Sequence, residues 1–164
     1  MSFRIGQGYD VHRFGKGDRV MLCGVAVPHE QGVIAHSDGD VVLHAIMDAC
    51  LGAAGLGDIG MLFPDTDPQF KNIDSKDLML KVRDFIASKS WEVVNIDVII
   101  NAEEPKLGKY KMQMKRCIAD LMGIDFINVN VKAKTNEGLG EIGTCLAISA
   151  IANVLLRRRI KRSL

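Results

Sequence analysis

The stretch from Cys145 to Leu156 constrains the fold more than any other part of the chain. Leu146, Ile148, Ala150, Ala152, Val154 and Leu156 alternate as in a strand, although alanine and leucine also suit a helix. The residues between them are mostly apolar too, interrupted by Ser149 and Asn153, so as a strand the segment must be covered on both faces. At about a dozen residues it falls far short of a membrane span. In a chain of 164 residues, helices of the same domain can cover one face, and the other points to burial against another subunit.

The elements around it follow from periodicity and punctuation. Residues 3–14 alternate, and residues 19–28 form a β-branched run ended by Pro28. After the turn His29-Glu30-Gln31-Gly32, Ser37 or Asp38 offers an N-cap for a helix over 39–54, with Val42, Ala45, Ile46, Ala49 and Ala53 as its apolar stripe. Gly55-Leu56-Gly57 ends that helix, and the Pro- and Asp-rich residues 58–69 predict a loop. A second helix is expected over 75–89, a strand from Trp91 to Asn101, a third helix over 108–122 stopped by Gly123, and a strand over 127–135. The order β-β-α-α-β-α-β-β predicts an α+β fold. It would be one small two-layer domain over 1–164, a mostly antiparallel four- to five-stranded sheet with helices on one face.

Composition removes several function classes. The net charge is +1, and five positive charges fall within residues 157–164, so the remainder is net acidic. That basic tail reads as a solvated end, and neither a nucleic-acid nor a membrane partner is expected. Cys23, Cys50, Cys117 and Cys145 lie far apart with no paired spacing, as reduced thiols do, unlike a disulfide frame or a zinc knuckle. The first residues lack the charged and apolar regions of a secretory leader, so a cytoplasmic location is expected.

The residues that can carry chemistry cluster in a few short runs. In Tyr9-Asp10-Val11-His12, Asp10 and His12 stand two apart and project from one face of a strand. They supply one hard oxygen and one borderline nitrogen, a mixture suited to zinc, and His44 on the following helix can complete the set. Asp48 lies four residues on, where it could orient a histidine tautomer. On spacing alone, the reading of Asp10 as a turn or surface charge and of the histidines as satisfied polar residues is the favoured one, and the motif by itself is weak. His36-Ser37-Asp38-Gly39-Asp40 sets a histidine and a hydroxyl at a helix start, which suits an anion or simply caps the helix. Asp58-Ile59-Gly60 and Phe63-Pro64-Asp65-Thr66-Asp67 offer many acceptors to a polyol, though Asp and Pro are also turn residues. Pro105-Lys106, where a strand ends and a helix opens, could meet a phosphate or a nucleobase edge, or be an ordinary proline at a helix start. Lys132-Ala133-Lys134-Thr135-Asn136-Glu137-Gly138 could serve phosphate plus magnesium, with no Walker pattern.

In this order, these runs resemble the 2-C-methyl-D-erythritol 2,4-cyclodiphosphate synthases. Gly8-Tyr9-Asp10-Val11-His12, Ala35-His36-Ser37-Asp38-Gly39-Asp40 with His44, Leu56-Gly57-Asp58-Ile59-Gly60 through Phe63-Pro64-Asp65-Thr66-Asp67-Pro68, Pro105-Lys106, and Val131-Lys132-Ala133 through Glu137 carry the likeness. The resemblance implies a homotrimer with sites between subunits, acting on a cytidyl diphosphate substrate. It implies Zn2+ on Asp10, His12 and His44, and Mg2+ or Mn2+ held by Glu137 with the substrate diphosphate. His36 and Thr135 would stabilise the transition state, with Ser37 alongside. Asp58, Gly60, Phe63, Asp65 and Asp67 would meet the erythritol, and Ala102, Pro105, Lys106, Leu107, Lys134 and Thr135 the cytidine and its phosphates.

Such a reaction joins two anionic groups of one molecule, so cations and positioning are what it needs. No Ser-His-Asp or Cys-His arrangement is required, and none is evident. A zinc phosphohydrolase would share the ligands but release inorganic phosphate, and a structural metal module would need a fourth protein ligand. The chain departs from the family pattern twice. Lys134 stands where many members have threonine, and the family's axial arginine and glutamate fall at Thr144 and Leu146. The second departure removes the arginine that an isoprenoid diphosphate on the trimer axis would meet, and leaves the chemistry intact.

Overall fold

The computed structural model describes residues 2–64, 66–70 and 73–159. Alternation near the amino terminus produces the long strand β1, Phe3–Gly15. The β-branched run that follows is not the single strand expected. Cys23 and Gly24 both take positive φ, 55° and 74°, and split it into the hairpin β2, Arg19–Leu22, and β3, Val25–Pro28. A short β4, Gly32–Val33, pairs with the end of β1.

Helix α1 runs Val41–Ala54 and is buried on every side except at Asp48 and Gly52. Its cap is Asp40, not Ser37 or Asp38. The fully buried Asp40 carboxylate accepts from the amides of Val42 and Leu43 at 3.2 and 3.0 Å. It also accepts from Cys23 and Gly24 at 2.9 and 2.6 Å, tying the hairpin turn to the helix start. Burial pushes its carboxyl above the usual range, and the amide donors act against that shift.

Residues 58–69 are more regular than a loop: Asp58 caps a single turn, α2, Ile59–Leu62, and Pro68–Phe70 form a 3-10 turn. Asp74 caps α3, Ser75–Ser88, which precedes β5, Trp91–Asn101. A 3-10 turn at Gly108–Tyr110 leads into α4, Lys111–Met122, closed by Gly123 at φ 65°. Strand β6, Val129–Lys134, the single turn α5, Gly140–Gly143, and β7, Ala147–Arg158, follow as the last elements among the described residues.

The ambiguous apolar segment is therefore a strand, and it lies at the centre of the sheet order β4-β1-β7-β5-β6. The sheet is mixed, not mostly antiparallel: β5 and β6 pair in parallel, from Ile96 with Val129 to Asn101 with Lys134. One long helix, α4, lies between them and returns the chain to the same end, which a parallel pair requires. Ile148, Ala150, Ala152, Val154 and Leu156 face the helices and are buried. On the other face of the sheet, Phe3, Ile5, Tyr9 and Val11 of β1 are exposed.

Gly6 and Gly8 set how closely α1 lies on β1. A Cβ at Gly6 would lie far inside van der Waals contact with the Ala49 carbonyl oxygen, and one at Gly8 far inside contact with that of Ala45. Of the basic tail, Arg157 and Arg158 end strand β7, and Arg158 and Arg159 remain exposed to solvent. Arg157 and Arg159 pair with Glu92 at 2.6 and 3.2 Å, and Arg158 lies over Trp91. Residues 160–164 of that tail lie outside the described residues. No described helix is long and apolar enough to cross a membrane.

Candidate active site

Because Gly8 lets α1 settle on β1, the first turn of the helix reaches the side chains that follow Gly8 on the strand. Asp10 and His12 share that face, and His44 comes down from the helix. The Asp10 Oδ2 to His44 Nδ1 distance is 2.9 Å, and His12 Nε2 lies 3.3 Å from each of them. A tetrahedral ion with bonds of about 2.1 Å holds its ligand atoms about 3.4 Å apart, so this triangle fits one zinc-sized cation with an outward position open.

The hydrogen bonds orient His44 for that use. Ser75 Oγ donates to Asp38 and therefore accepts from His44 Nε2 at 3.0 Å, with Ser37 Oγ at 3.2 Å on the same nitrogen. The proton on Nε2 leaves the Nδ1 lone pair facing the Asp10 carboxylate, and two lone pairs at 2.9 Å need a proton or a metal between them. Burial lowers the pKa of His44, but the hydrogen bond and charge of Asp10, with Asp40 and Asp38 behind, carry it above the ordinary value. Burial pulls His12 the other way, below its ordinary value, which favours the neutral ligand form.

Asp48 does not orient a histidine. Its Oδ1 accepts from the Ile59 amide at 2.8 Å and so fixes the start of α2 beside the cavity. The orienting groups are Ser75 and Asp38, and no spacing announces them. Ser75 is simply the first residue of α3, brought in by packing of α3 on α1.

The triad floors a cavity of about 410 Å³. Ile34, Ala35, His36 and Ser37 make one wall, Ile59, Gly60 and Phe63 another, and Phe70, Ile73 and Leu78 an apolar end. Of the residues singled out from the sequence, Asp10, His12, His36, Ser37, His44, Gly60 and Phe63 line this one space. Asp58 and Asp67 do not line it. Asp58 accepts from Met61 N at 3.0 Å and Asp67 from Gln69 N at 3.0 Å, so both stabilise turns. Asp65 lies outside the described residues.

The remaining candidates form a second group away from this cavity. Ala102 N donates to Lys134 O at 2.9 Å, joining the ends of β5 and β6. The Leu107 side chain is buried in the core, so only its backbone is available to a ligand. Pro105 is buried and is not the first residue of a helix, since the 3-10 turn begins at Gly108. Lys106 Nζ bonds to Glu103 O at 2.9 Å and faces Glu104 at 3.4 Å. Lys134, Thr135 and Glu137 are exposed, and Thr135 Oγ1 donates to Glu137 Oε1 at 2.9 Å. That carboxylate and hydroxyl are hard oxygen donors, suited to a magnesium-like ion sharing its shell with phosphate and water. Thr144 hydrogen-bonds to Gly140 O at 2.9 Å, and Leu146 is exposed.

Comparison with known proteins gives these two groups a context. The YgbB family matches residues 3–157. A 2-C-methyl-D-erythritol 2,4-cyclodiphosphate synthase of Pseudomonas paraeruginosa is 52% identical over 156 residues, covering 95% of this chain and 99% of that protein. The synthase of the same name from Methylococcus capsulatus is 53% identical over 157 residues, 96% of this chain and 99% of its own. Among solved structures, the bifunctional IspDF of Campylobacter jejuni superposes with a TM-score of 0.92 at 43% identity, covering 96% of this chain. This chain spans 42% of that longer protein. The CDP complex of IspF from Plasmodium falciparum gives a TM-score of 0.85 at 36% identity, covering 97% of this chain and 98% of that one. Matched from its first strand to the end of its last, with the same fold in structures of that kind, this chain belongs to the YgbB family.

Proposed function

We propose that this chain is a 2-C-methyl-D-erythritol 2,4-cyclodiphosphate synthase, a phosphorus–oxygen lyase of the non-mevalonate route to isoprenoid precursors. In the reaction, an oxygen of the substrate's 2-phosphate attacks the β-phosphorus of its cytidyl diphosphate. The bond from that phosphorus to the α-phosphate oxygen breaks, its electron pair leaves with CMP, and the cyclic diphosphate remains. The observation that carries the reading is the convergence of Asp10, His12 and His44 in an open cavity, in a chain about half identical to synthases of that name.

Zn2+ on Asp10, His12 and His44, and Mg2+ or Mn2+ at Glu137, would neutralise phosphate oxygens and polarise the phosphorus when bound. The other roles belong to the chain itself. His36 and Ser37 face the same cavity as the triad and can donate to a phosphate held there. Gly60 and Phe63 wall the space that would take the methylerythritol, and Asp58, Asp65 and Asp67 belong to the same reading as acceptors for its hydroxyls. The backbone of Ala102 and Leu107, with Pro105 and Lys106, takes the cytidine, and Lys134 and Thr135 take its phosphates. Holding both ends of one molecule makes closure a positioned intramolecular step, for which effective molarities reach roughly 10⁵–10⁸ M.

A homotrimer belongs to this reading. The nucleotide group does not line the triad's cavity, so a neighbouring copy would bring the two together, and the exposed apolar face of β1 is suited to that contact. Incubation with the cytidyl substrate and magnesium should yield CMP and the cyclic diphosphate. Release of inorganic phosphate instead would identify a phosphohydrolase. Glu137→Gln should chiefly weaken magnesium dependence, and an active monomer in solution would refute shared sites.

A further inference from the structure

Thr135 and Glu137 stand on an unusual piece of backbone. Glu137 and Gly138 both have positive φ, 53° and 76°, and Leu139 N bonds to Asn136 O at 2.9 Å, which closes a tight turn with Glu137 at its first corner. A residue with a side chain is disfavoured there, so a turn of this kind relaxes unless something outside it holds it. The holder is Glu103, two residues beyond the end of β5. One of its carboxylate oxygens, Oε1, accepts from Asn136 N at 2.8 Å and from Gly138 N at 3.1 Å, gripping the backbone on both sides of Glu137. The same residue's carbonyl receives Lys106 Nζ at 2.9 Å. Glu103 is thus bonded at once to the segment with Pro105 and Lys106 and to the turn with Thr135 and Glu137. Its carboxylate occupies this pair of amides, while Glu137 and Thr135 remain exposed.

We propose that Glu103 is a positioning residue: its carboxylate clamps the Asn136–Gly138 turn so that Glu137 and Thr135 are set for the divalent cation on the nucleotide diphosphate. The role rests on the cyclodiphosphate synthase reading, and it does not require Glu103 to touch the cation. The clamp needs an acceptor oxygen, not a charge, so glutamine can replace glutamate and alanine cannot.

The test uses the zinc-loaded full chain and its Glu103→Ala and Glu103→Gln variants. Binding of Mn2+ in the presence of CDP is followed by electron paramagnetic resonance, beside CMP release from the cytidyl substrate. In Glu103→Ala, affinity for Mn2+ with CDP should fall about tenfold or more, the range found when a group that orients a ligand is removed. Zinc content should be unchanged, and Glu103→Gln should return most of the loss. Equal Mn2+ affinity in wild type and Glu103→Ala would overturn the clamp. Equal loss in both variants would overturn it too, by showing that the charge itself acts. Failure of the wild type to release CMP would instead overturn the synthase reading, while the Mn2+ measurement would still decide the clamp.

Discussion

The Asp10–His12–His44 cluster is held from beneath by close packing, whereas the segments Ala102–Leu107 and Lys134–Glu137 are held at their ends by a few hydrogen bonds. In the first region, a strand and a helix meet backbone to backbone over Gly6 and Gly8, and the ligands ride on elements that cannot shift without opening the core. In the second, Lys106, Lys134, Thr135 and Glu137 are exposed, and the two segments are joined by the Ala102 N–Lys134 O bond and by the Glu103 carboxylate on the Asn136–Gly138 turn. A cation needs convergent ligands at fixed spacing, which core packing supplies. The segments proposed for the nucleotide lie at strand ends and offer it backbone groups as well as side chains.

The harshest way to break this contrast is to separate helix from strand. Gly8→Val would drive its side chain into the Ala45 carbonyl and lift α1 away from β1. A loss of about 3 kcal/mol is expected in denaturant unfolding, together with loss of bound zinc. Retention of zinc at wild-type stability would mean that the close approach does not govern the cluster. His44→Ala acts on the ligands alone. It should lower zinc affinity by more than the roughly 10- to 100-fold that outer-shell changes cost, and abolish CMP release. Metal analysis of the purified variant showing full zinc occupancy would remove His44 from the ligand set.

The contrast also explains what was legible in the sequence. Asp10 and His12 could be paired because strand periodicity alone puts them on one face, and the helix carrying His44 was marked by its apolar spacing. Strand β5 was read from Trp91 to Asn101, where the structure has it. Ser75 and Glu103 were not legible, since each acts across a long sequence separation through a contact that only packing creates. The cap was misplaced for a related reason: Ser37, Asp38 and Asp40 are all capable, and the hairpin turn at Cys23-Gly24, far away in sequence, selects Asp40. The mixed sheet was missed because periodicity gives strands but not their direction. Only the helix between β5 and β6 fixes that.

Ser75→Ala sharpens the comparison within the metal half. It removes the acceptor that keeps the proton on His44 Nε2, while Ser37 Oγ, 3.2 Å away, remains as a substitute. Zinc affinity, measured by competition with a chelator, should fall about tenfold, at the low end of outer-shell effects. An unchanged affinity would assign the tautomer control to Ser37.

The smallest effect is expected in the exposed half. Lys134 is the last residue of β6 paired with β5 and is solvent-exposed, so its contribution to a diphosphate would be an ionic contact made largely in water. Lys134→Thr exchanges that contact for a hydroxyl. The KM for the cytidyl substrate should rise about fivefold at low salt, equivalent to about 1 kcal/mol, with zinc content and thermal stability unchanged. The distinguishing mark is ionic strength. Since the Debye length shrinks to about 3 Å at 1 M salt, the two proteins should converge there. A difference that persists at high salt would show that Lys134 acts by packing or shape, and would make the exposed half as rigidly built as the buried one.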